Sequence, residues 1–294
     1  WARATGQPGW MRFGGWGATP SPVDEMMNDP LNWFVAMDFF FGVSQAASNF
    51  QSVTNVVFAQ NDLPSNKSRW QRHTDGLIVM GFQCFSDWRQ ISGDFGGPVV
   101  VVEEKGDYED AVSLRSNQAE GVRKGVRRLT ELGHRRIGII SGSPQRHSQA
   151  ERIQGYRSAL AEADIEPDES IILQSPGSRL ETMQVARGLL QSGGVSAVFC
   201  TSDMRALGVL DAARELGLKV PEELTVLGFD DIPAGREHEP PLSTIRHPRV
   251  ELGDKAVEVI MSLLAGTPVN KEVVIETEYI ERGTTGRQKE GGMR

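Results

Sequence analysis

Short apolar runs rich in β-branched residues recur along the chain from about residue 50 onward. These runs lack the polar alternation of strands that have one solvated face. Continuous apolar runs of this length are typical of strands buried on both faces of a parallel sheet. We therefore predict strands within the segments VTNVVFA, GLIVM, PVVVV, IGIIS, SIIL, VSAVFC and LTVLGF.

Helical patterns lie between several of these strands. Apolar residues recur at steps of three and four from Ala119 to Leu132, from Ala206 to Leu216 and from Leu252 to Leu263. A glycine follows soon after each pattern, and glycine is a common stop at the end of a helix. The alternation of strands and helices predicts an α/β fold with right-handed crossovers. The strands are too many for one sheet, so we predict two doubly wound parallel-sheet subdomains.

The composition is that of a globular protein with enough apolar material for two cores. The chain has 294 residues, of which 39% are hydrophobic and 24% charged. No apolar run approaches the ~20 residues of a membrane helix, so we expect no membrane partner. The net charge of −8 argues against a stand-alone DNA-binding module, because such modules carry a basic excess. Cys84 and Cys200 lack metal or CxxC spacing, and we interpret both as buried thiols of a cytoplasmic protein.

Motifs for catalysis are missing from the sequence. It contains no G-x-G-x-x-G, no G-x-x-x-x-G-K-[ST] and no G-x-S-x-G. Its five histidines show no metal-ligand spacing. We therefore predict that the protein is not an enzyme and that it needs no cofactor or metal.

Polar residues follow directly on three predicted strands, where ligands collect in doubly wound sheets. Asp230 follows LTVLGF, Ser202 and Asp203 follow VSAVFC after one threonine, and Glu103 follows PVVVV. Each of them also has a structural interpretation. Asp230 is as well suited to cap a turn, and Glu103 to a solvated loop. One of Ser202 and Asp203 is expected to cap the next helix while the other faces a ligand.

Arg152 follows the strand IGIIS and stands near the start of a predicted helix. We place it in the first helical turn, where a cation is unfavourable against the helix dipole. That placement suggests another use, such as bidentate hydrogen bonding to a ligand. A surface arginine is the alternative.

About three fifths of the chain, from Ser116 to Thr285, resembles the effector-binding core of the lactose/galactose-repressor family of bacterial transcription regulators. That core is similar to the type I periplasmic sugar-binding proteins. The phrase PPLSTI favours the repressor branch over the periplasmic one. The resemblance is carried by SNQAEGVRKGVRRLTELGHRRIGIISG, ERIQGYRSALAEADI, SAVFCTSDMRALGVLDAARELGLKVPEELTVLGFDDIP and PPLSTIRHPRVELGDKAVEVIMSLLAG.

The resemblance implies two α/β subdomains joined by three crossovers, with a small effector in the cleft between them. Family effectors are usually sugars and sometimes nucleobases. The crossovers are expected near Leu114, between Ile245 and Arg249, and near Val274. The implied subdomains are discontinuous in sequence and comprise residues 1–114 with 246–274 and residues 115–245 with 275–294.

The resemblance also implies which residues hold the effector. Arg152 matches the family's effector-binding arginine, and Asp230 matches its effector-binding acid. Ser148 matches another cleft position. Ser202 stands where many members have asparagine, with Asp203 as the neighbour that caps the helix. Glu103 stands where members often have aspartate.

The N-terminal part departs from the family pattern. Members usually carry Asn-Pro-Phe-Phe after the first strand, whereas this chain has Asn32, Trp33 and Phe34 with no proline between them. The aromatic pair is expected to stack on a sugar ring. A helix start that faces the core is the alternative.

The function implied is that of an effector-binding core of a homodimeric regulator, in which a sugar-like ligand closes the cleft and modulates DNA binding. No helix-turn-helix is visible, so we expect operator DNA to be bound through a domain that preceded Trp1, unless this member never had one. The alternatives are a periplasmic sugar-binding protein of a transporter, a sensor module fused to another output domain, and an enzyme on the same fold.

Overall fold

The computed structural model describes residues 12–14, 30–50, 55–57, 74–80, 95–104, 108–192 and 194–288, with backbone alone at 12–14, 30–36, 55–57 and 80. The strands are β1 Arg12–Gly14, β2 Asn55–Val57, β3 Leu77–Met80, β4 Val99–Val102, β5 Val112–Ser116, β6 Ile137–Ser141, β7 Ile172–Gln174, β8 Ala197–Cys200, β9 Thr225–Asp230, β10 Ser243–Arg246, β11 Glu272–Ile275 and β12 Glu278–Ile280. The α-helices are α1 Pro30–Asn49, α2 Gln118–Glu131, α3 His147–Glu162, α4 Arg179–Ser192, α5 Asp203–Glu215, α6 Pro233–Arg236 and α7 Arg249–Leu264.

The chain divides into two compact units. The first unit comprises Trp1–Ser116 with Pro248–Ile275, and the second comprises Asn117–His247 with Glu276–Arg294.

The first unit contains a parallel sheet in the order β11-β5-β4-β3 and a separate parallel pair, β1-β2. Strand β4 consists of four buried valines, which fits a strand covered on both faces. Helices α1 and α7 share one core with β4 and β5. These two helices approach closely at Gly42 and Gly253, where a Cβ would collide with backbone carbonyls of Val250 and Phe39.

The second unit contains a six-stranded sheet in the order β12-β10-β9-β8-β6-β7. All its neighbours are parallel except β12, which pairs antiparallel with β10. Helices α2 and α3 bury their apolar sides against β6, β8, β9 and β10 in one core. The two helices touch at Gly155, where a Cβ would collide with the carbonyl of Ala119. Because β10, β9, β8, β6 and β7 are parallel, their carboxyl ends lie at the same edge of this sheet.

These elements confirm the predicted α/β class with parallel sheets. Each predicted strand segment overlaps an observed strand, and α2, α5 and α7 lie over the three helical patterns. Strands β1, β5, β10, β11 and β12 and helix α4 are not among the predicted elements. The position of Arg152 needs correction: α3 begins at His147, so Arg152 lies in the second turn rather than the first.

The two cysteines and the helices bear on the remaining fold predictions. Cys200 is a fully buried free thiol, and Cys84 lies outside the described residues. None of the helices in the described part of the chain combines the length and the apolar character that crossing a bilayer requires.

Candidate functional site

Arg152 and Asp230 meet at the carboxyl edge of the six-stranded sheet. Arg152 projects from α3, and Asp230 is the last residue of β9. The Nη1 atom of Arg152 lies 3.9 Å from Oδ1 of Asp230, and both residues are more than nine-tenths buried. The second unit alone thus brings together the arginine and the acid that the sequence singled out.

Arg152 is held in place by groups from three elements. Its Nε donates to Oε1 of Gln118 over 2.8 Å, and its Nη1 donates to the carbonyl of Thr201 over 2.5 Å. The guanidinium carbon also lies 3.7 Å from the centroid of the Phe229 ring, a cation–π contact. These contacts fix the direction of the guanidinium before any ligand arrives.

Asp230 and Asp231 hold different partners because the backbone turns sharply between them. Their φ angles are 121° and 61°, in the left-handed region that non-glycine residues seldom adopt. Such strain costs on the order of 1–3 kcal/mol per residue and is typical of functional sites. Asp230 faces Arg152, whereas the side chain of Asp231 is fully buried elsewhere.

Asp231 binds three arginines, of which Arg282 is 51 positions away in sequence. Its carboxylate lies 3.1 Å from Arg236, 2.9 Å from Arg246 and 2.6 Å from Arg282. Burial acts to raise the pKa of Asp231, but the hydrogen bonds from Arg246, Arg282 and Arg236 outweigh it and hold that pKa below its usual value. Asp231 therefore ties β9, β10 and the segment after β12 together.

Ser202 and Asp203 divide their roles at the start of α5. Ser202, not Asp203 as the resemblance implied, is the N-cap, and its Oγ accepts a hydrogen bond from the backbone N–H of Arg205. Asp203 is completely buried and accepts from the N–H of Ile232 over 2.9 Å and from the hydroxyl of Thr244 over 2.6 Å. Burial, reinforced by the charge of Asp230, raises the pKa of Asp203 to about 8. In this structure the carboxylate of Asp203 is bonded to protein groups and has no exposed surface, and its predicted contact with a ligand stays a prediction.

The other predicted site residues divide between the two units. Ser148 lies half-buried in the first turn of α3, in the second unit. Glu103 belongs to the first unit, adopts a φ of 60°, and accepts a hydrogen bond from the N–H of Ser116 over 2.8 Å. Asn32, Trp33 and Phe34 lie on the backbone of α1 near its start, and their side chains are outside the described residues.

Gln149 is a site residue that the sequence analysis missed. It is buried in α3, and its Oε1 accepts from the N–H of Gly142 over 2.9 Å and from the hydroxyl of Thr201 over 2.7 Å. It thereby locks the loops after β6 and β8 to α3. Its position beside Ser148 was the available signal.

Arg205 was missed as well, although the dipole argument made for Arg152 applies to it. Arg205 lies in the first turn of α5 and is 8% exposed. Its Nη1 donates to Oγ of Ser202 over 3.0 Å, and its Nη2 donates to the carbonyls of Ser175 and Pro176 over 3.0 Å and 3.4 Å. Burial lowers its pKa.

The arrangement offers fixed charged donors and acceptors rather than a reaction centre. Among the residues that the structure describes, no group of three or more His, Cys, Asp or Glu is placed to hold a metal ion. Hydrogen-bonding groups of this kind, convergent at the carboxyl edge of a parallel sheet, make this edge a candidate binding site for a small polar molecule.

The periplasmic binding protein-like domain is the family whose model matches residues 126–285, more than half of the chain. The chain therefore belongs to this family.

The relatives are transcriptional repressors. The chain is 37% identical over 226 residues to the HTH-type transcriptional repressor PurR of Escherichia coli O1:K1 / APEC. The aligned region covers 72% of this chain and 63% of that protein. It is 35% identical over 217 residues to the ribose operon repressor of Haemophilus influenzae, covering 72% of this chain and 64% of that protein. The chain thus spans less than two thirds of the length of these relatives.

A solved structure shares the fold. The transcriptional regulator CelR–cellobiose complex matches with a TM-score of 0.76 and 25% identity, covering 90% of this chain and 82% of that one. Together these findings confirm the resemblance to the repressor family and the fold that it implies.

Proposed function

We propose that the chain is the effector-binding and homodimerisation core of a bacterial transcriptional regulator, and that its effector is a sugar or a sugar derivative. The observation that carries the proposal is the buried Arg152–Asp230 pair at the sheet edge, in a chain 37% identical to a repressor. The names of two similar proteins, a ribose operon repressor and a regulator–cellobiose complex, favour a sugar-like effector.

The geometry of the pair suits a ligand hydroxyl. A separation of 3.9 Å between Arg152 and Asp230 exceeds a direct hydrogen bond. A hydroxyl that accepts from the guanidinium and donates to the carboxylate can bridge the two groups. Ser202 and Ser148 supply further hydroxyl groups at the starts of α5 and α3.

The two units are proposed to be the two subdomains that the resemblance implies, with the effector held between them. Glu103, Asn32, Trp33 and Phe34 are the candidates to contact the effector from the first subdomain. The effector favours the closed arrangement by binding it more tightly, and closure changes the DNA-binding competence of the homodimer.

Operator DNA is proposed to be bound through a domain outside these residues, and the protein is proposed to work in the cytoplasm without catalysing a reaction. The relatives are repressors, which favours this function over an enzyme or a transporter's binding protein. The net charge of −8 agrees with DNA contact through another domain.

A ligand screen on the purified protein tests the proposal. Thermal shifts against neutral sugars, sugar phosphates and nucleobases identify the effector, because a ligand of the folded state raises the melting temperature. Arg152→Ala should then abolish binding in calorimetry. Arg157→Ala is the matched control, since Arg157 lies on the same helix and pairs with Glu169 at the surface, 2.7 Å away. Unchanged affinity in Arg152→Ala would rule out the site.

A further inference from the structure

Arg205 is a buried cation whose polar contacts are all with neutral groups. It is 8% exposed, and in the described part of the chain its hydrogen bonds go to one hydroxyl and two backbone carbonyls. No carboxylate of the described residues forms an ion pair with it. A buried guanidinium without a counter-ion is unfavourable, so the fold retains Arg205 at a cost.

One N–H group of this guanidinium is unsatisfied. Nε of Arg205 is buried and has no hydrogen-bond partner. A buried charged donor that lacks a partner carries its full desolvation cost. The protein groups around Arg205 thus leave part of its hydrogen-bonding capacity unused.

The surrounding charges are predominantly positive. After burial, the positive charges of Arg152 and Arg146 lower the pKa of Arg205 further. The carboxylate of Asp230 acts to raise it. Asp203 is internal and bonded to Thr244 and Ile232. Asp230, the carboxylate that acts on Arg205, faces Arg152 over 3.9 Å.

Two glycines border the guanidinium, one in the loop after β6 and one in the loop before α4. A Cβ at Gly142 or at Gly177 would lie 3.0 Å from Nη2 of Arg205. Gly142 follows β6, and Gly177, with a φ of +130°, precedes α4. The N-terminus of α5 is adjacent, because its N-cap Ser202 accepts from Nη1 of Arg205. Helix N-termini attract anions.

We propose that Arg205 is the cation of an anion subsite in the second unit, and that the effector therefore carries an anionic group, a phosphate ester or a carboxylate, in addition to its hydroxyls. This inference rests on the proposed effector-binding function. It assigns Arg152 and Asp230 to the hydroxyl-bearing part of the ligand and Arg205 to the anionic part.

Inorganic phosphate is the first probe, because it needs no knowledge of the effector. At matched ionic strength, phosphate should raise the melting temperature of the wild-type protein above that in chloride, and the rise should saturate. Arg205→Gln, which retains one hydrogen-bonding arm, should lose the rise, and Arg205→Lys should retain part of it. Arg157→Gln is the control for a change of net charge and should behave like the wild type. An equal rise in the wild type and in Arg205→Gln would overturn the subsite.

Matched ligands are the second probe and need no variant, so they hold even where Arg205→Gln fails to fold. A sugar phosphate or an aldonic acid should bind the wild-type protein at least about tenfold more tightly than the neutral parent sugar. If the sugar phosphate binds more tightly than the aldonic acid, the anionic group is a phosphate ester; if the aldonic acid does, it is a carboxylate. Tighter binding of the neutral sugar would overturn the anion subsite. If Arg152→Ala then abolished binding of that neutral sugar, the proposed function would still stand. A panel from which nothing binds counts against both.

Discussion

The two units differ in how much charge they bury. In the described part of the first unit, buried charge is confined to Arg249, whose Nη2 lies 3.3 Å from the half-exposed carboxylate of Asp38. The parallel sheet of the first unit contains the four buried valines of β4. Among its described residues, the second unit buries six charged side chains, namely Arg152, Asp203, Arg205, Asp211, Asp230 and Asp231.

The difference supports placing the proposed binding site in the second unit. Burying a charge is unfavourable unless the charge is paired and hydrogen-bonded. Five of the six buried charges of the second unit lie at or beside the carboxyl edge of its sheet, where parallel sheets bind ligands. Charged groups with perturbed pKa values cluster at functional sites, so this edge supports the proposed binding site.

Removing Asp231 should have the largest effect on the second unit. Asp231→Ala deprives Arg236, Arg246 and Arg282 of a shared counter-ion whose side chain is fully buried. We expect the free energy of unfolding in urea to fall by about 3 kcal/mol.

Glu278→Ala is the matched control for that experiment. Glu278 pairs with Arg246 at the exposed surface over 2.8 Å, so its removal should cost about 0.5 kcal/mol or less. Equal losses in the two variants would show that Asp231 is no more important than a surface acid.

The pH dependence of Asp203→Asn should give the next largest effect. The pKa of Asp203 is raised to about 8 in the folded protein, above its ordinary value of 3.8. The folded state therefore retains a proton that the unfolded state releases between these pH values. Wild-type stability from this group is greatest below the lower value and is lost as pH rises toward 8, by at most about 1.4 kcal/mol per pH unit.

Asparagine at 203 does not titrate and can still accept from Ile232 and donate to Thr244. The stability of Asp203→Asn relative to the wild type should therefore improve as the pH rises from 5 to 8, measured by urea denaturation at each pH. Asp203→Ala loses both hydrogen bonds and should be less stable than Asp203→Asn at every pH. A constant difference between wild type and Asp203→Asn would mean that Asp203 is ionised throughout this range.

The sequence predicts best those elements whose pattern is local. The strands with continuous apolar runs, such as β4 and β6, could be located because burial on both faces needs nothing beyond the run itself. Strands β5 and β10 were missed because Ser113 and Thr244 interrupt their apolar character. The hydroxyl of Ser113 donates to the carbonyl of Glu104, and that of Thr244 donates to Asp203, 41 positions away. Partners so distant in sequence leave no local pattern.

The candidate site shows the same limit. Position after a strand and family resemblance were enough to select Arg152 and Asp230. They could not show that the neighbouring Asp231 points away to three arginines, because that depends on backbone turns at two left-handed residues. They also could not separate Arg205 from a surface arginine in a first helical turn.

Asp230→Asn should separate ligand binding from stability in the second unit. Asparagine tolerates left-handed backbone, so the fold should be retained at a φ of 121°. Losing the carboxylate should weaken a hydroxyl-bearing effector by about tenfold in calorimetry, because a charge-assisted hydrogen bond becomes a neutral one. Unchanged affinity together with a lower melting temperature would instead make Asp230 a cap of the turn.

The smallest effect is expected at His134, which anchors the segment after β12 to the second unit. Its Nε2 lies 3.0 Å from the carbonyl of Gly286 and must donate, so Nδ1 accepts from the hydroxyl of Ser196 over 2.9 Å. Burial lowers the pKa of His134, which means that the unfolded state takes up a proton first as the pH falls. Stability from this group is complete above its ordinary pKa of 6.5 and declines below it. The free energy of unfolding should therefore differ less between pH 5.5 and 7.5 in His134→Gln than in the wild type. Equal differences in the two proteins would mean that His134 does not contribute to the loss of stability in acid.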